Sequence, residues 1–453
     1  MKLIRSISGI RGIIGTNFNE KIAAEYAKSF SSIQPEGPIL IGRDTRNQGT
    51  EILTAIKESL TSLGRDILDC DIAPTPVIQF LAKELDTSGA IMVTASHNPE
   101  EWNGLKFIDH DGCFIDKYKN EKLIYNIDNN LMPAKKYKTG QTIDKRTSIS
   151  LFIDALLKLD FIDTNKIKNQ KFKVVVDTVN GANYHLLPYL LKKLNCDVIE
   201  LFCNSSGIFE RNPEPLAENL NLLCKKVTDE KADLGLASDP DGDRLSIVDN
   251  KGHAIGEEST LVLCADTYYN EKKSNSPLVT NLSSSMCLDF IASKHNVPIF
   301  RSAIGEANVI ELMKNKNASF GGEGNGGVIL KDIHLGRDSL VATIMILNML
   351  AKENKTLDQI MTNIPNYYMI KEKVDIPNIN VSSFYTYLSN IYNKSKKDTS
   401  DGLKLLWKDK WLHIRSSNTE PVIRIIAESS NLETTKKLIK DTIKQLKKYC
   451  LEN

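Results

Sequence analysis

The sequence predicts an α/β fold divided among several domains, the first three with mixed sheets and the last a smaller α+β domain. Three observations carry this expectation. The 453 residues are more than one hydrophobic core organises. Short apolar runs alternate with amphipathic stretches through most of the chain, the order that builds βαβ layers. After Tyr367 the alternation gives way to sequential short strands and one Lys-rich helix.

The elements run in this order. Residues 38–43 and 66–71 read as strands around a helix over 49–63, and 89–94 is a further apolar run that ends in a polar loop. Residues 172–177, a helix over 184–194 and residues 197–202 repeat the pattern. Strands at 232–237 and 245–249 flank the loop Ser238–Arg244. A third series runs through 278–282, 286–295, 298–301, 307–314 and 318–320. The final segment offers strands at 403–407, 411–415 and 422–428 and a helix over 433–449, whose Lys face is a solvated one. Polar stretches at 135–147, 251–258 and 363–366 divide the chain into domains 1–148, 149–254, 255–365 and 366–453. In such layers ligands gather beyond the carboxyl ends of the strands.

Composition excludes several function classes. A net charge of +1 and 7% aromatic residues supply neither the field nor the stacking platform that nucleic acid needs. No run of 18 apolar residues suggests a membrane span, and the start lacks the apolar stretch of a signal peptide. The eight cysteines are scattered without a Cys-x-x-Cys pair, as expected of reduced cytoplasmic thiols. Only 12 of the 58 basic residues are Arg. Yet Arg11, Arg43, Arg46, Arg244, Arg337, Arg415 and Arg424 lie in or beside Gly- and Ser-rich loops, where a planar fork of donors suits an anion.

Four loops carry chemistry. Thr94-Ala-Ser-His-Asn-Pro99 follows an apolar strand and should present Ser96 on an exposed turn. Asp239-Pro-Asp-Gly-Asp-Arg244 spaces three carboxylates so that they can converge on one hard cation, which suits Mg²⁺ and phosphate chemistry. An EF-hand would require Gly where Arg244 stands and Glu where Asn250 stands. Gly321-Gly-Glu-Gly-Asn-Gly-Gly327 lets backbone approach a ligand closely and leaves Glu323 and Asn325 to read hydroxyls. It has neither dinucleotide-binding spacing nor the GK[ST] of a P-loop. Arg415-Ser-Ser-Asn-Thr-Glu-Pro421 gathers a guanidinium, three hydroxyls and backbone N–H groups able to wrap a phosphate.

Together with Ser8-Gly-Ile-Arg-Gly12, Gly42-Arg-Asp-Thr-Arg46, Asn103-Gly-Leu-Lys106 and Asn212-Pro-Glu-Pro215, these loops resemble the α-D-phosphohexomutases along essentially the whole chain. The resemblance implies four domains around a central cleft. It implies a phosphoryl group carried on Ser96, and one Mg²⁺ held by Asp239, Asp241, Asp243 and the Ser96 phosphate. It places Lys106, Arg244, Arg11 and His97 around the transferring phosphate, with Lys106 or His97 as general base. Glu323 and Asn325 would bind the sugar. Arg415, Ser416, Ser417, Asn418, Thr419 and Arg424 would bind the second phosphate. The family usually has Ser at the Asn325 position, often His at Gly327, and commonly Gly at Asn418.

The activity that the resemblance implies is interconversion of a hexose 6-phosphate and 1-phosphate through a 1,6-bisphosphate, which would also act as activator. The motifs look closest to phosphoglucosamine mutases, while Asn212-Pro-Glu-Pro215 is also common among phosphomannomutase/phosphoglucomutase enzymes. An Asp-nucleophile phosphatase would need Thr or Val where Asp243 stands. A non-catalytic sugar-phosphate sensor would be expected to have lost Ser96 or a metal ligand. The expected partner is a small sugar phosphate, with neither nucleic acid nor membrane, in a cytoplasmic monomer or homodimer.

Overall fold

A computed structural model describes residues 2–134, 137–375, 380–416 and 422–452. The chain gathers into two compact units, Met1–Ser274 with Ser319–Met361, and Asn275–Ala318 with Thr362–Asn453.

The first unit opens on a seven-stranded mixed sheet. Gly89–Val93, Ile39–Arg43, Ile67–Ile72 and Thr142–Asp144 run parallel side by side. On the other flank, Trp102–Asp109, Gly9–Ile13 and Ile4–Ser6 join antiparallel. The parallel centre is apolar in sequence because both faces are covered. Ile39, Leu40, Ile41, Ala90, Ile91, Met92 and Val93 are fully buried, and the helices Glu20–Ile33 and Gly49–Thr61 pack their apolar stripes against that core. The antiparallel flank and Thr142–Asp144 were not expected as strands. The last of these is exposed at all three residues, so nothing apolar marks it, and it falls inside the stretch read as a polar boundary.

A second, four-stranded sheet has the order Leu245–Val248, Leu234–Ser238, Lys173–Asp177, Asp197–Leu201. The last three are parallel and Leu245–Val248 is antiparallel. This antiparallel turn-back creates the tight loop 239–244 between two buried strands. The unit is completed by the helix Glu257–Lys272, the hairpin Phe320–Glu323 with Gly327–Leu330, and the helix Ser339–Glu353. Thirteen consecutive residues of that last helix, Ser339–Ala351, are buried. An element apolar on all sides shows no 3.6-residue stripe, which is why sequence periodicity passed over it.

In the second unit Leu278–Asn281 and Ile299–Ser302 pair in parallel, flanked by the helices Cys287–Lys294 and Glu306–Lys316. An antiparallel five-stranded sheet has the order Tyr368–Asp375, Val422–Ser429, Lys410–Ser416, Leu403–Leu406, Lys396–Asp398. The helices Val381–Ile391 and Leu432–Glu452 cover its apolar face. This is the expected α+β domain, enlarged by Tyr368–Asp375, Lys396–Asp398 and Val381–Ile391. Among the described residues all eight cysteines are free, and no helix is long and apolar enough to cross a membrane.

Candidate active site

Ser96 sits just past the strand Gly89–Val93 with φ 52°, a left-handed conformation that costs a non-glycine residue roughly 1–3 kcal/mol unless its surroundings impose it. The surroundings here are a buried scaffold. Thr94 Oγ1 accepts from the Ser96 N–H at 2.8 Å and donates to Asp44 Oδ2 at 2.6 Å. Arg46, paired with Asp44, donates from Nη2 to the carbonyls of Ser96 and Asn98 and from Nη1 to those of Pro99 and Trp102. Arg46 is therefore the frame of the serine loop rather than an anion ligand, and Arg43 is paired with Asp71. Ser96 itself is not exposed, being 0% accessible, although Pro99 at the end of the same loop is. The loop 239–244 closes over it: Ser96 Oγ lies 3.5 Å from Asp239 Oδ2 and 3.3 Å from His97 Nδ1.

The loop 239–244 is shaped by its own hydrogen bonds. Asp239 Oδ1 accepts from the N–H groups of Asp243 and Arg244. Gly242 takes φ 73°, and its carbonyl accepts from Ser339 Oγ at 2.6 Å. Thr75, at the start of the helix Thr75–Glu84, donates from its backbone to the Asp241 carbonyl and from Oγ1 to Asp241 Oδ2. The three carboxylates are fully buried, and each offers an oxygen within 4.8 Å of the others. Asp241 Oδ1 and Asp243 Oδ1 are buried without a hydrogen-bond partner. Oxygens in that state are costly. A hard divalent cation bound by oxygens alone would satisfy both, so the residues fit Mg²⁺.

Cations crowd the same centre. Lys106, on Trp102–Asp109, donates from Nζ to Asp241 Oδ2 at 2.5 Å and Asp243 Oδ2 at 3.1 Å. Arg244 Nη1 reaches Glu214 Oε1 at 3.0 Å, and its Nε is 3.7 Å from Asp243 Oδ1. Arg11 donates to Asn98 Oδ1 at 3.1 Å. Burial and the two neighbouring carboxylates push Asp239 well above the usual carboxylate range. Burial acts the same way on Asp243, but Arg337, Lys106 and Arg244 outweigh it and hold that group down. His97, whose side chain is 28% accessible, is held below its ordinary value by partial burial, Arg244 and Arg11. Such a cluster can bind a phosphoryl group beside a hydroxyl and offset its charge.

Glu323 ends the strand Phe320–Glu323, is 3% accessible, and accepts from Arg337 Nη1 at 3.0 Å. Asn325 Oδ1 accepts from the Gly327 N–H, so that side chain also shapes the turn. The Gly326 carbonyl accepts from the Leu245 N–H at 3.0 Å, tying this loop to the exit of the loop 239–244. The structure thus brings together Ser96, His97, Lys106, Asp239, Asp241, Asp243 and Arg244, with Arg11 and Glu323 alongside.

The last loop belongs to the second unit. Arg415 and Arg424 face each other across adjacent strands, and Arg415 Nε is 3.5 Å from Asp401 Oδ1. Ser416 donates its N–H to Tyr385 Oη. Ser417, Asn418 and Thr419 lie outside the described residues. Sequence reasoning missed Asp44, Thr75 and Thr94 as supports of the site, and named Glu214 only within its motif. Their signal was weak, because the contacts Thr75–Asp241, Thr94–Asp44 and Glu214–Arg244 span 166, 50 and 30 residues of sequence.

Comparison with known proteins adds to this geometry. Models of the phosphoglucomutase/phosphomannomutase α/β/α domains I, II and III match residues 2–133, 150–252 and 257–368, and that of the C-terminal domain matches 387–445. A phosphoglucomutase/phosphomannomutase of Thermococcus kodakarensis is 34% identical over 449 residues, 97% of each chain. A phosphoglucosamine/phosphogalactosamine mutase of Sulfurisphaera tokodaii is 30% identical over 442 residues, 96% of each chain. The crystal structure of a phosphoglucomutase/phosphomannomutase family protein from Burkholderia thailandensis superposes with a TM-score of 0.86 at 25% identity, covering 98% of each chain.

Proposed function

The chain belongs to the phosphoglucomutase/phosphomannomutase family of phosphohexomutases, and from that premise we propose that it interconverts glucosamine 6-phosphate and glucosamine 1-phosphate. The observation that carries the mechanism is the Ser96 hydroxyl 3.5 Å from Asp239 within a buried triad of carboxylates.

In this reading Ser96 carries the phosphoryl group. A hexose 1-phosphate enters, its O6 hydroxyl attacks the phosphorus, the P–O bond to Ser96 breaks, and a 1,6-bisphosphate forms. The bisphosphate turns over and returns its other phosphoryl group to Ser96 Oγ, releasing the 6-phosphate. Asp239, Asp241 and Asp243 would hold Mg²⁺, which supplies charge to the phosphoryl oxygens when bound. Lys106, bonded to two carboxylates, acts as a fixed positive charge, and Arg244 and Arg11 flank the phosphoryl group. That leaves His97, whose neutral imidazole faces Ser96 Oγ through Nδ1, as the proton acceptor in preference to Lys106.

Glu323 and Asn325 read the sugar hydroxyls. Arg415, Ser416, Ser417, Asn418, Thr419 and Arg424 hold the phosphate that is not reacting. Arg415 and Arg424 occupy paired positions on adjacent strands and so bring two cations to one place on the sheet, which supports that assignment. The proposed domain partition is 1–148, 149–254, 255–365 and 366–453. A hexose 1,6-bisphosphate is the proposed activator, and the protein is proposed to be a cytoplasmic monomer or homodimer.

The choice of glucosamine is supported by relatives named phosphoglucosamine mutase, among them that of Methanocaldococcus jannaschii. Glucose and mannose phosphates are the second reading, favoured by the Thermococcus relative. The experiment is a kcat/KM comparison of the 1-phosphates of glucosamine, glucose and mannose with Mg²⁺ and catalytic bisphosphate. Higher kcat/KM for glucose or mannose than for glucosamine would replace the substrate proposed.

A further inference from the structure

Arg337 lies between two loops whose side chains must act together. Its Nη2 donates to Asp243 Oδ2 at 2.6 Å and its Nη1 to Glu323 Oε2 at 3.0 Å. All three side chains are nearly inaccessible. The segment that carries Arg337 is fixed on both sides. The Asp338 N–H donates to the Val328 carbonyl, and Ser339 Oγ donates to the Gly242 carbonyl within the metal loop. Asp338 Oδ1 also caps the helix Ser339–Glu353 by accepting from Leu340 and Val341.

The stem of Arg337 runs over the sugar loop. A Cβ placed on Gly327 would stand 2.3 Å from Arg337 Cδ and 2.8 Å from Cγ, so any side chain at 327 would displace the stem from the path by which the guanidinium reaches its two partners. A planar fork fixes the separation of the two carboxylates it holds, which a lysine ammonium does not. With Lys106 and Arg337 both on Asp243 Oδ2, Oδ1 is the oxygen left without a hydrogen-bond partner. A buried charged trio is a costly way to hold a fold together, since well-packed apolar residues often do as well or better.

We propose that Arg337 is a positioning residue of the phosphohexomutase reaction, one that sets the sugar-reading carboxylate Glu323 and the metal-loop carboxylate Asp243 in register through a single guanidinium, in space that Gly327 provides. The inference rests on the reading of Glu323 as a sugar ligand. It predicts that sugar affinity and metal affinity share one determinant that touches neither ligand.

The test uses the full-length chain with Arg337→Met, Arg337→Lys, Gly327→Ala and Glu323→Gln. Each is measured for melting temperature, Mg²⁺ dissociation constant by calorimetry, and KM and kcat for the hexose 1-phosphate that the wild type prefers. Arg337→Met should weaken Mg²⁺ binding and raise KM, each by roughly 10- to 100-fold, the range for residues that orient a ligand from behind. Arg337→Lys should recover at most one of the two constants. Gly327→Ala, which displaces the stem and keeps the charge, should shift both in the same direction, and it carries the test if Arg337→Met does not fold. A folded Arg337→Met or Gly327→Ala protein whose Mg²⁺ affinity and KM both match the wild type overturns the proposal, even if its melting temperature falls. Unchanged KM in Glu323→Gln overturns the sugar-reading role itself. A raised KM there with wild-type constants in Arg337→Met overturns the positioning role alone.

Discussion

Lys106 Nζ and Asp241 Oδ2 lie 2.5 Å apart, with side chains 3% and 0% accessible, and the same ammonium reaches Asp243 Oδ2 at 3.1 Å. A buried cation thus shares two carboxylates with the cation those carboxylates are suited to bind. Lys106 is a principal charge offsetting them through their Oδ2 atoms, and a divalent ion would act on the same two carboxylates through the Oδ1 atoms that lack a hydrogen-bond partner.

Lys106→Met should therefore unmask the repulsion among Asp239, Asp241 and Asp243. Breaking a buried pair by removing one partner costs about 3–5 kcal/mol. The melting temperature should fall in chelator and recover in part with Mg²⁺, and turnover should fall in both conditions. Equal melting temperatures for variant and wild type in chelator would mean that the pair contributes nothing to the fold.

Asp241→Asn keeps the shape of the loop and removes one anionic ligand. Mg²⁺ titration of activity should move to higher concentration and kcat should fall with it, since the metal's charge acts on the transferring group. An unchanged titration and rate would show 239–244 to be an acidic turn only.

The loops were legible in the sequence because their chemistry is local. Asp239-Pro-Asp-Gly-Asp fixes its own turn, and Gly242 at φ 73° is a position where glycine is the easy residue. The parallel strands 39–43 and 89–93 were legible because both faces are buried. What was not legible depends on partners far along the chain. Arg46 looked like an anion ligand until Asp44 and four carbonyls were found around it. Ser96 was expected on an exposed turn because nothing in its neighbourhood announces that residue 239, 143 positions on, will cover it. Gly327 read as a missing histidine, whereas the structure shows an arginine stem in that space.

Arg415→Ala should lower kcat/KM by roughly 100-fold or more, because charge-assisted bonds to phosphate are the strong ones. Arg415→Lys should recover part, keeping the charge and losing the fork. Melting temperature should change little, since Arg415 lies near the end of its strand and is not part of the apolar core beneath it. A normal melt with full kcat/KM on every sugar phosphate would refute the phosphate clamp.

His413 supplies a pH dependence of stability. Its ring is buried, hydrogen-bonded through Nδ1 to Ser283 Oγ and through Nε2 to the Asp401 carbonyl, and burial lowers its pKa from 6.5 to about 4. Between those values the unfolded chain binds a proton that the folded chain does not, so stability rises with pH through that window and is lost as pH falls from 6.5 toward 4. The shift corresponds to about 3 kcal/mol. His413→Gln should be less stable at pH 7 but lose less between pH 6.5 and 4, as read by denaturant melts. An equal slope in both proteins would assign the acid sensitivity to other groups.

The most direct measurement of the central claim is peptide mass spectrometry of the protein after incubation with Mg²⁺ and a hexose 1,6-bisphosphate. One phosphoryl group should appear on the peptide that contains Thr94–Pro99, localise to Ser96, and be lost on adding excess hexose 1-phosphate as the bisphosphate forms. The Ser96→Ala protein, treated in the same way, should carry none and turn over almost no substrate. A phosphoryl group found on another residue, or near-normal turnover by Ser96→Ala, would contradict the account.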